Sequence, residues 1–252
     1  MLTFTKRSAG HNRDFYAVEA AGLRWLAAAG PGSARVPTVV AVDDDQIVLE
    51  RLEPARPERA AAEKFGRALA VTHVAGAAAY GQPPDGWTGD GYIGQQPMML
   101  RPTSTWGRFY AEQRMLPYAH RARDLGHLSA TATERVDRVA ELLVAGEFDD
   151  NRPPARIHGD LWSGNLMFTA RGVVLVDPAA HGGHGLTDLA MLHLFGAPQL
   201  ATITAAYVEA ADLADGWADL IGLHQLHPLL VHAVSHGSSY GAEAGRIAAH
   251  YA

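Results

Sequence analysis

The chain contains no cysteine, which excludes disulfides, thiolate nucleophiles and zinc–thiolate centres together. It has no apolar run near the roughly eighteen residues needed to cross a bilayer. Its first residues, MLTFTKRSAGHNRDF, carry neither the hydrophobic stretch nor the small-residue cleavage pattern of a secretory signal. A cytoplasmic protein is expected. Positive charge is in short supply: 21 Lys and Arg against 27 Asp and Glu give a formal net charge of −6. That balance gives no reason to expect nucleic acid or an anionic membrane as a partner. No internal repeat and no low-complexity linker is present. The composition that remains, 252 residues of which 48% are hydrophobic, can bury one large or two modest cores.

Hydrophobic spacing divides the chain near residue 53. FYAVEAAGLRWLAAA, residues 15–29, places Val18, Ala21, Gly22, Trp25 and Leu26 on one helical stripe that ends at Gly30-Pro31. VPTVVAVDDDQIVLERLEP then reads as two β-branched strands around an Asp-rich turn. From about residue 58 the pattern is mostly helical, interrupted by a Gly/Pro-rich loop over 80–97. Ser104 is placed to cap a helix carrying Trp106, Phe109 and Tyr110. Thr131 and Glu134 have capping-box spacing ahead of a helix that stops at Gly146. Further helices are expected around 199–213, 217–236 and 241–250.

The chemistry-bearing segment is IHGDLWSGNLMF, residues 157–168, followed by VLVDPAAHGGHG. Surface loops collect Asp, Asn and Gly for their turn geometry alone, but here the flanking sequence adds a constraint. LMF-TARG-VVLV is two apolar runs about a Gly-containing turn, hence an antiparallel hairpin. Pairing about Ala170 and Arg171 sets Leu166 opposite Leu175, which brings Asn165 and Asp177 to one end. Two oxygen donors match what Mg²⁺ takes from protein when phosphates and water complete its shell. Asp160, five residues before Asn165, is then free to orient a hydroxyl and accept its proton. The layout H-x-D-x-x-x-x-N followed by a strand-terminal Asp is that of the catalytic loop and metal-binding aspartate of protein kinases.

HGDLWSGN, with its tryptophan, resembles the fructosamine kinase (ketosamine-3-kinase) family within the aminoglycoside and choline kinase-like branch of that fold. AVEAAGLRWLAAAG, VPTVVAV, IVLERLEPARP, FGRALAVTH, GYIGQQP, TWGRFYAEQRMLP, VDPAAHGGHGLTDLAML and GRIAAHY extend the resemblance over nearly the whole chain. It implies an α+β, protein-kinase-like two-lobe fold: a small β-containing lobe over 1–53 and a larger helical lobe over 54–252. With Lys6 so near the start and no GxGxxG in the chain, the small lobe is expected to lack the first two strands and the phosphate-covering glycine loop. The resemblance implies ATP and Mg²⁺ as cofactors, Asp160 as base, and Asn165 with Asp177 as metal ligands. Lys6 matches the lysine that contacts the α and β phosphates, and Glu19 matches its ion-pair partner. Residues 49–52, LERL, with Glu50 and Leu52, match the hinge that binds adenine. The implied reaction phosphorylates the 3-hydroxyl of a ketosamine, free or on a glycated protein.

Taken singly, Lys6 and Glu19 are ordinary surface residues, and His158 is a loop-bracing histidine. Trp162 is either core or a wall of the sugar pocket, and Trp106 is assigned to that pocket too. Asp188, in LTDLAML, suits a helix N-terminus, where its carboxylate would cap backbone N–H groups. The histidines at 181, 184, 224, 227, 232 and 236 match no zinc motif and are expected to be packed or solvated. Two other functions stay open: an aminoglycoside- or choline-type kinase, which an acidic pocket lining would favour, and a kinase-like binding protein with impaired catalysis.

Overall fold

The computed structural model describes residues 2–7 and 14–252. Strand β1 (Thr3–Arg7) is followed by helix α1 (Phe15–Ala27) and strands β2 (Val39–Val42) and β3 (Gln46–Glu50). They form an antiparallel three-stranded sheet in the order β1-β3-β2. Asp43 closes the β2–β3 turn by accepting from the backbone N–H of Asp45 and Gln46. The helical repeat puts Tyr16, Ala20 and Leu23 on one face of α1, and strand alternation puts Ile47 and Leu49 on one face of β3. These five residues make a small core, in which burying each aliphatic side chain contributes roughly 1.5–3 kcal/mol. The next stripe of α1, Trp25 and Leu26, packs on Ala180 and ties the sheet-bearing part to the rest.

Helix α2 (Arg59–Val74) opens the larger part. The segment 80–97, expected to be loop, contains a hairpin of β4 (Gly91–Ile93) and β5 (Gln96–Met98). Helix α3 (Trp106–Phe109) runs into a wide π turn, Tyr110–Met115, and then α4 (Leu116–Asp124). Thr105, not Ser104, precedes α3, and it makes no side-chain cap. Helix α5 (Ala130–Ala145) starts earlier than the Thr131 spacing implies. Ser129 has extended backbone and its Oγ accepts from Ala132 N at 3.2 Å, so Thr131 lies inside the first turn. Gly146 ends the helix in the left-handed conformation, as expected.

Then come β6 (Ala155–Ile157), β7 (Leu166–Thr169), β8 (Gly172–Leu175), β9 (His181–Gly183), α6 (Gly185–Phe195), α7 (Leu200–Ala210), α8 (Ile221–His236) and α9 (Ser238–Tyr251). Strands β7 and β8 pair with Leu166 opposite Leu175, the register expected from sequence.

Two prolines sit where helical chain continues, and each leaves a carbonyl four residues back without its N–H donor. Pro117 would have served Gln113; the Gln113 carbonyl accepts from Arg114 Nη1 at 3.2 Å instead. Pro228, inside α8, would have served His224; that carbonyl accepts from the Tyr110 hydroxyl at 2.8 Å. Tyr110 is buried, and its hydroxyl oxygen also accepts from His227 N. Both replacement donors come from the π turn. The histidines His181, His184, His224 and His227 are buried, packed rather than solvated.

Candidate active site

Strand β6 ends at Ile157 and the chain enters a loop whose shape is set from beneath. Asp188, in the first turn of α6, is fully buried. Its carboxylate accepts from His158 N at 2.7 Å and Gly159 N at 2.8 Å. The expectation that Asp188 caps its own helix is therefore corrected: that local role falls to His184, whose Nδ1 accepts from Leu186 N. His73 Nε2 lies 3.1 Å from Asp188, and His73 Nδ1 lies 2.7 Å from the Tyr207 hydroxyl. Burial alone would raise the Asp188 carboxyl, but the His73 hydrogen bond, its neighbouring imidazoles and the Gly159 N–H bring it below the ordinary carboxylate value.

His158 braces the loop. Its Nε2–H donates to the Val176 carbonyl at 2.8 Å and its Nδ1 accepts from Asp160 N at 3.2 Å. That pattern is the neutral tautomer, and burial lowers the imidazole accordingly. Gly159 adopts φ +82°, and a Cβ there would lie 2.3 Å from the Ala179 carbonyl oxygen, so the loop admits only glycine.

Asp160 follows, with its backbone carbonyl and one carboxylate oxygen accepting from Asn165 Nδ2 at 2.8 and 3.1 Å. Burial pushes its carboxyl up to about 6; the Asn165 hydrogen bond opposes that shift, and Asp177 and Asp188 add to it. Near neutral pH it is mostly ionised yet basic enough to take a proton. A turn later, Val176 N donates to the Asn165 carbonyl at 3.0 Å. This extends the β7–β8 ladder by one step and delivers Asp177 beside Asn165. Asp177 has φ +55°, a conformation that Asp tolerates better than most residues.

Lys6, on β1, reaches into the same space. Its Nζ donates to Glu19 Oε1 at 2.7 Å and pairs with Asp177 Oδ1. Burial opposes the ammonium, but the Glu19 and Asp177 carboxylates outweigh it and raise Lys6 above its ordinary value. For Glu19, burial dominates and raises the carboxyl despite Lys6. The structure thus gathers Lys6, Glu19, Asp160, Trp162, Asn165 and Asp177 around one cavity of about 390 Å³. Asn165 turns its amide nitrogen toward Asp160, which leaves its oxygen, with the Asp177 carboxylate, as a hard-donor pair suited to a magnesium-type ion.

A second cavity of about 820 Å³ adjoins it and shares Asp160 and Trp162. It continues between the β4–β5 hairpin and α8, past Phe195, His232, His236 and Tyr240. Trp162 is 41% exposed, and its indole crosses Gly164, where a Cβ would sit 2.3 Å from the ring. That supports the wall reading over the core reading. Trp106 is corrected: it is buried among Tyr110, His184 and His224 and lines neither cavity. Glu50 and Leu52 also lie outside both linings; the Glu50 carboxylate accepts from Thr38 Oγ1 at 3.2 Å.

No sequence signal marked Asp188 as the anchor of the loop, since its partners come from residues 73, 158 and 159. The Gly94-Gln95 tip of the β4–β5 hairpin lines both cavities and was hidden by its resemblance to a loop.

A model of the fructosamine kinase family matches residues 2–251. The probable ketoamine kinase of Synechocystis sp. is 32% identical over 248 residues, covering 96% of this chain and 80% of its own. A crystal structure from Thermobifida fusca, solved as a candidate fructosamine-3-kinase, superposes with a TM-score of 0.89 at 44% identity, covering 98% of this chain and 85% of that one. Choline kinase from Cryptosporidium parvum shares the fold alone, with a TM-score of 0.56 at 12% identity over 99% of this chain and 80% of that one. The loop, the paired lysine and the likeness along the whole chain agree: the protein belongs to the fructosamine kinase family and is an ATP-dependent small-molecule kinase of protein-kinase-like fold.

Proposed function

We propose that this kinase transfers the γ-phosphoryl group of ATP to the 3-hydroxyl of a ketosamine, with Asp160 as the base. The observation that carries the reading is the position of Asp160 at the junction of two cavities. One holds Lys6 and Glu19 with the Asn165–Asp177 donor pair, and the other is large enough for a sugar and its amine carrier. Among the described residues, Asp160 is the only acidic one lining the larger cavity, and no Lys or Arg lines it either. A polycationic aminoglycoside would find little to pair with there, whereas Trp162, Tyr240 and the imidazoles suit the C–H faces and hydroxyls of a sugar. The preformed Lys6–Glu19 pair favours a working kinase over a bare binding protein.

Asp160 orients the acceptor hydroxyl and takes its proton as the oxygen attacks the γ phosphorus. The bond from that phosphorus to the β–γ bridging oxygen breaks, and ADP leaves. Lys6, held by Glu19, meets the α and β phosphates. Asn165 and Asp177 would hold Mg²⁺, which neutralises phosphate charge when bound. The chain's relation to bacterial kinases and the absence, among the described residues, of any helix long and apolar enough to cross a membrane are in keeping with action in the cytoplasm on free or protein-linked ketosamines.

The test is ADP release and mass-spectrometric detection of a sugar phosphate with fructosyl- and ribulosyl-lysine derivatives and with an aminoglycoside. Wild type is expected to phosphorylate the ketosamines, and Asp160→Asn to lower kcat by about 10²–10⁴-fold with the ATP KM little changed. Undiminished turnover by the variant would remove Asp160 as base, and turnover of the aminoglycoside alone would overturn the substrate class.

A further inference from the structure

The β4–β5 hairpin is short, lies in a stretch with the composition of a loop, and stands between the two cavities. Its tip, Gly94-Gln95, is exposed to solvent and lines both of them. Neighbouring residues fasten the hairpin on every side. Gln96 Nε2 donates to Ser235 Oγ at 3.1 Å, tying it to the end of α8. The Tyr118 hydroxyl donates to the Pro97 carbonyl at 2.8 Å, and the buried Arg114 donates from Nη1 to the Met99 carbonyl at 2.8 Å. Asp90 accepts from Leu100 N at 3.1 Å, and Tyr92 packs on Phe15 of α1 with ring centroids 5.2 Å apart. A two-stranded ribbon this short has little stability of its own, so these five ties, four to other elements and one across its own base, are what hold the tip in the linings it shares with Asp160.

Gln95 alone among the polar side chains of this tip spends its amide on nothing: Gln96 is committed to Ser235, and among the described residues none engages the Gln95 amide. A free carboxamide on a fixed support offers one acceptor and two donors. That set matches the vicinal hydroxyls of a polyol, each of which gives one hydrogen bond and takes another. We propose that Gln95 is an acceptor-binding residue that grips a hydroxyl next to the one facing Asp160, so that the sugar is registered against the base by the hairpin tip. The proposal deepens the ketosamine reading and rests on it for the identity of the sugar. The surrounding wall of Trp162, Phe195, Pro228 and Val231 supplies apolar contact, and Gln95 supplies orientation.

The experiment compares wild type, Gln95→Ala and Gln95→Asn, measuring acceptor KM, ATP KM, kcat and Tm. Acceptor Kd is measured by isothermal titration with the same fructosyl-lysine derivative. Losing one or two neutral hydrogen bonds to the sugar is expected to raise acceptor KM and Kd about tenfold, with ATP KM within about twofold. Tm is expected to stay put because Gln95 is exposed and unpartnered. Gln95→Asn keeps the amide on a shorter stem and is expected to recover part of the loss. An unchanged acceptor Kd in Gln95→Ala, or an equal rise in acceptor and ATP KM, overturns the assignment. If wild type binds the ketosamine without phosphorylating it, the reaction assignment falls while the Kd ratio still decides Gln95. If wild type does not bind it, both fall.

Discussion

Two buried aspartates meet at one loop, and although burial pushes both carboxyls up, they end on opposite sides of the ordinary value. Asp188, beneath the loop, is the more deeply buried, yet its carboxyl lies below the ordinary value. Asp160, above it, has its carboxyl pushed up to about 6. The difference lies in what faces each carboxylate. Asp188 accepts from two backbone N–H groups and sits against His73, whereas one amide, from Asn165, donates to the Asp160 side chain. Hydrogen bonds to the charged form offset desolvation at the first site and fall short at the second. One carboxylate is fixed by its partners; the other is left under-satisfied, as the proposed base requires.

The comparison breaks most visibly when the anchor is removed. Asp188→Ala strands two buried N–H groups and His73, and is expected to cost about 3–5 kcal/mol of stability, read as a fall in the urea midpoint. Asp160→Asn is expected to do the reverse. It removes a charge that the fold disfavours and should stabilise the protein at pH 7 by about 2–3 kcal/mol, given ~1.4 kcal/mol per pKa unit, while it abolishes most turnover. A lower midpoint for this variant would show that Asp160 is satisfied after all.

The smallest of these effects is the pH response. Because the Asp160 value is raised in the folded state, its penalty on stability is present above about pH 6 and fades as the folded protein takes up the proton between there and the unfolded value near 3.8. Activity runs the other way, since the base must be ionised. kcat/KM is expected to fall about tenfold per pH unit below about 6 and to level off above it. A profile flat down to pH 5 would contradict the base assignment.

Features set by contiguous residues were legible in the sequence. The β7–β8 register and the juxtaposition of Asn165 with Asp177 follow from local periodicity and turn chemistry; on α1 the stripe through Gly22, Trp25 and Leu26 was legible, whereas the face that packs on β3, Tyr16, Ala20 and Leu23, was not. Capping was legible only in type: Ser129, not Thr131, accepts the first-turn N–H, since hydroxyl residues two positions apart both offer the cap and the helix starts at Ala130. The β4–β5 hairpin escaped because strands of three residues carry no alternation to read, and the ties to other elements that hold it come from α1, α4, α8 and the π turn. Trp106 was misplaced since nothing in TWGRFY distinguishes a cavity-facing indole from one stacked on His224. Asp188 looked like a cap because sequence shows the helix it opens and not the loop above it.

The π turn at Tyr110–Met115 serves two otherwise unrelated chain segments. From one end, the Tyr110 hydroxyl holds α8 at its proline; from the other, Arg114 holds the β4–β5 hairpin. Those segments are the facing walls of the larger cavity. Together with the direct Gln96–Ser235 tie, one irregular turn thus helps to gauge the spacing of its jaws, acting as a caliper. An insertion or deletion of one residue there would rotate Tyr110 against Arg114 by about 100° and reset the aperture without touching any residue that lines it.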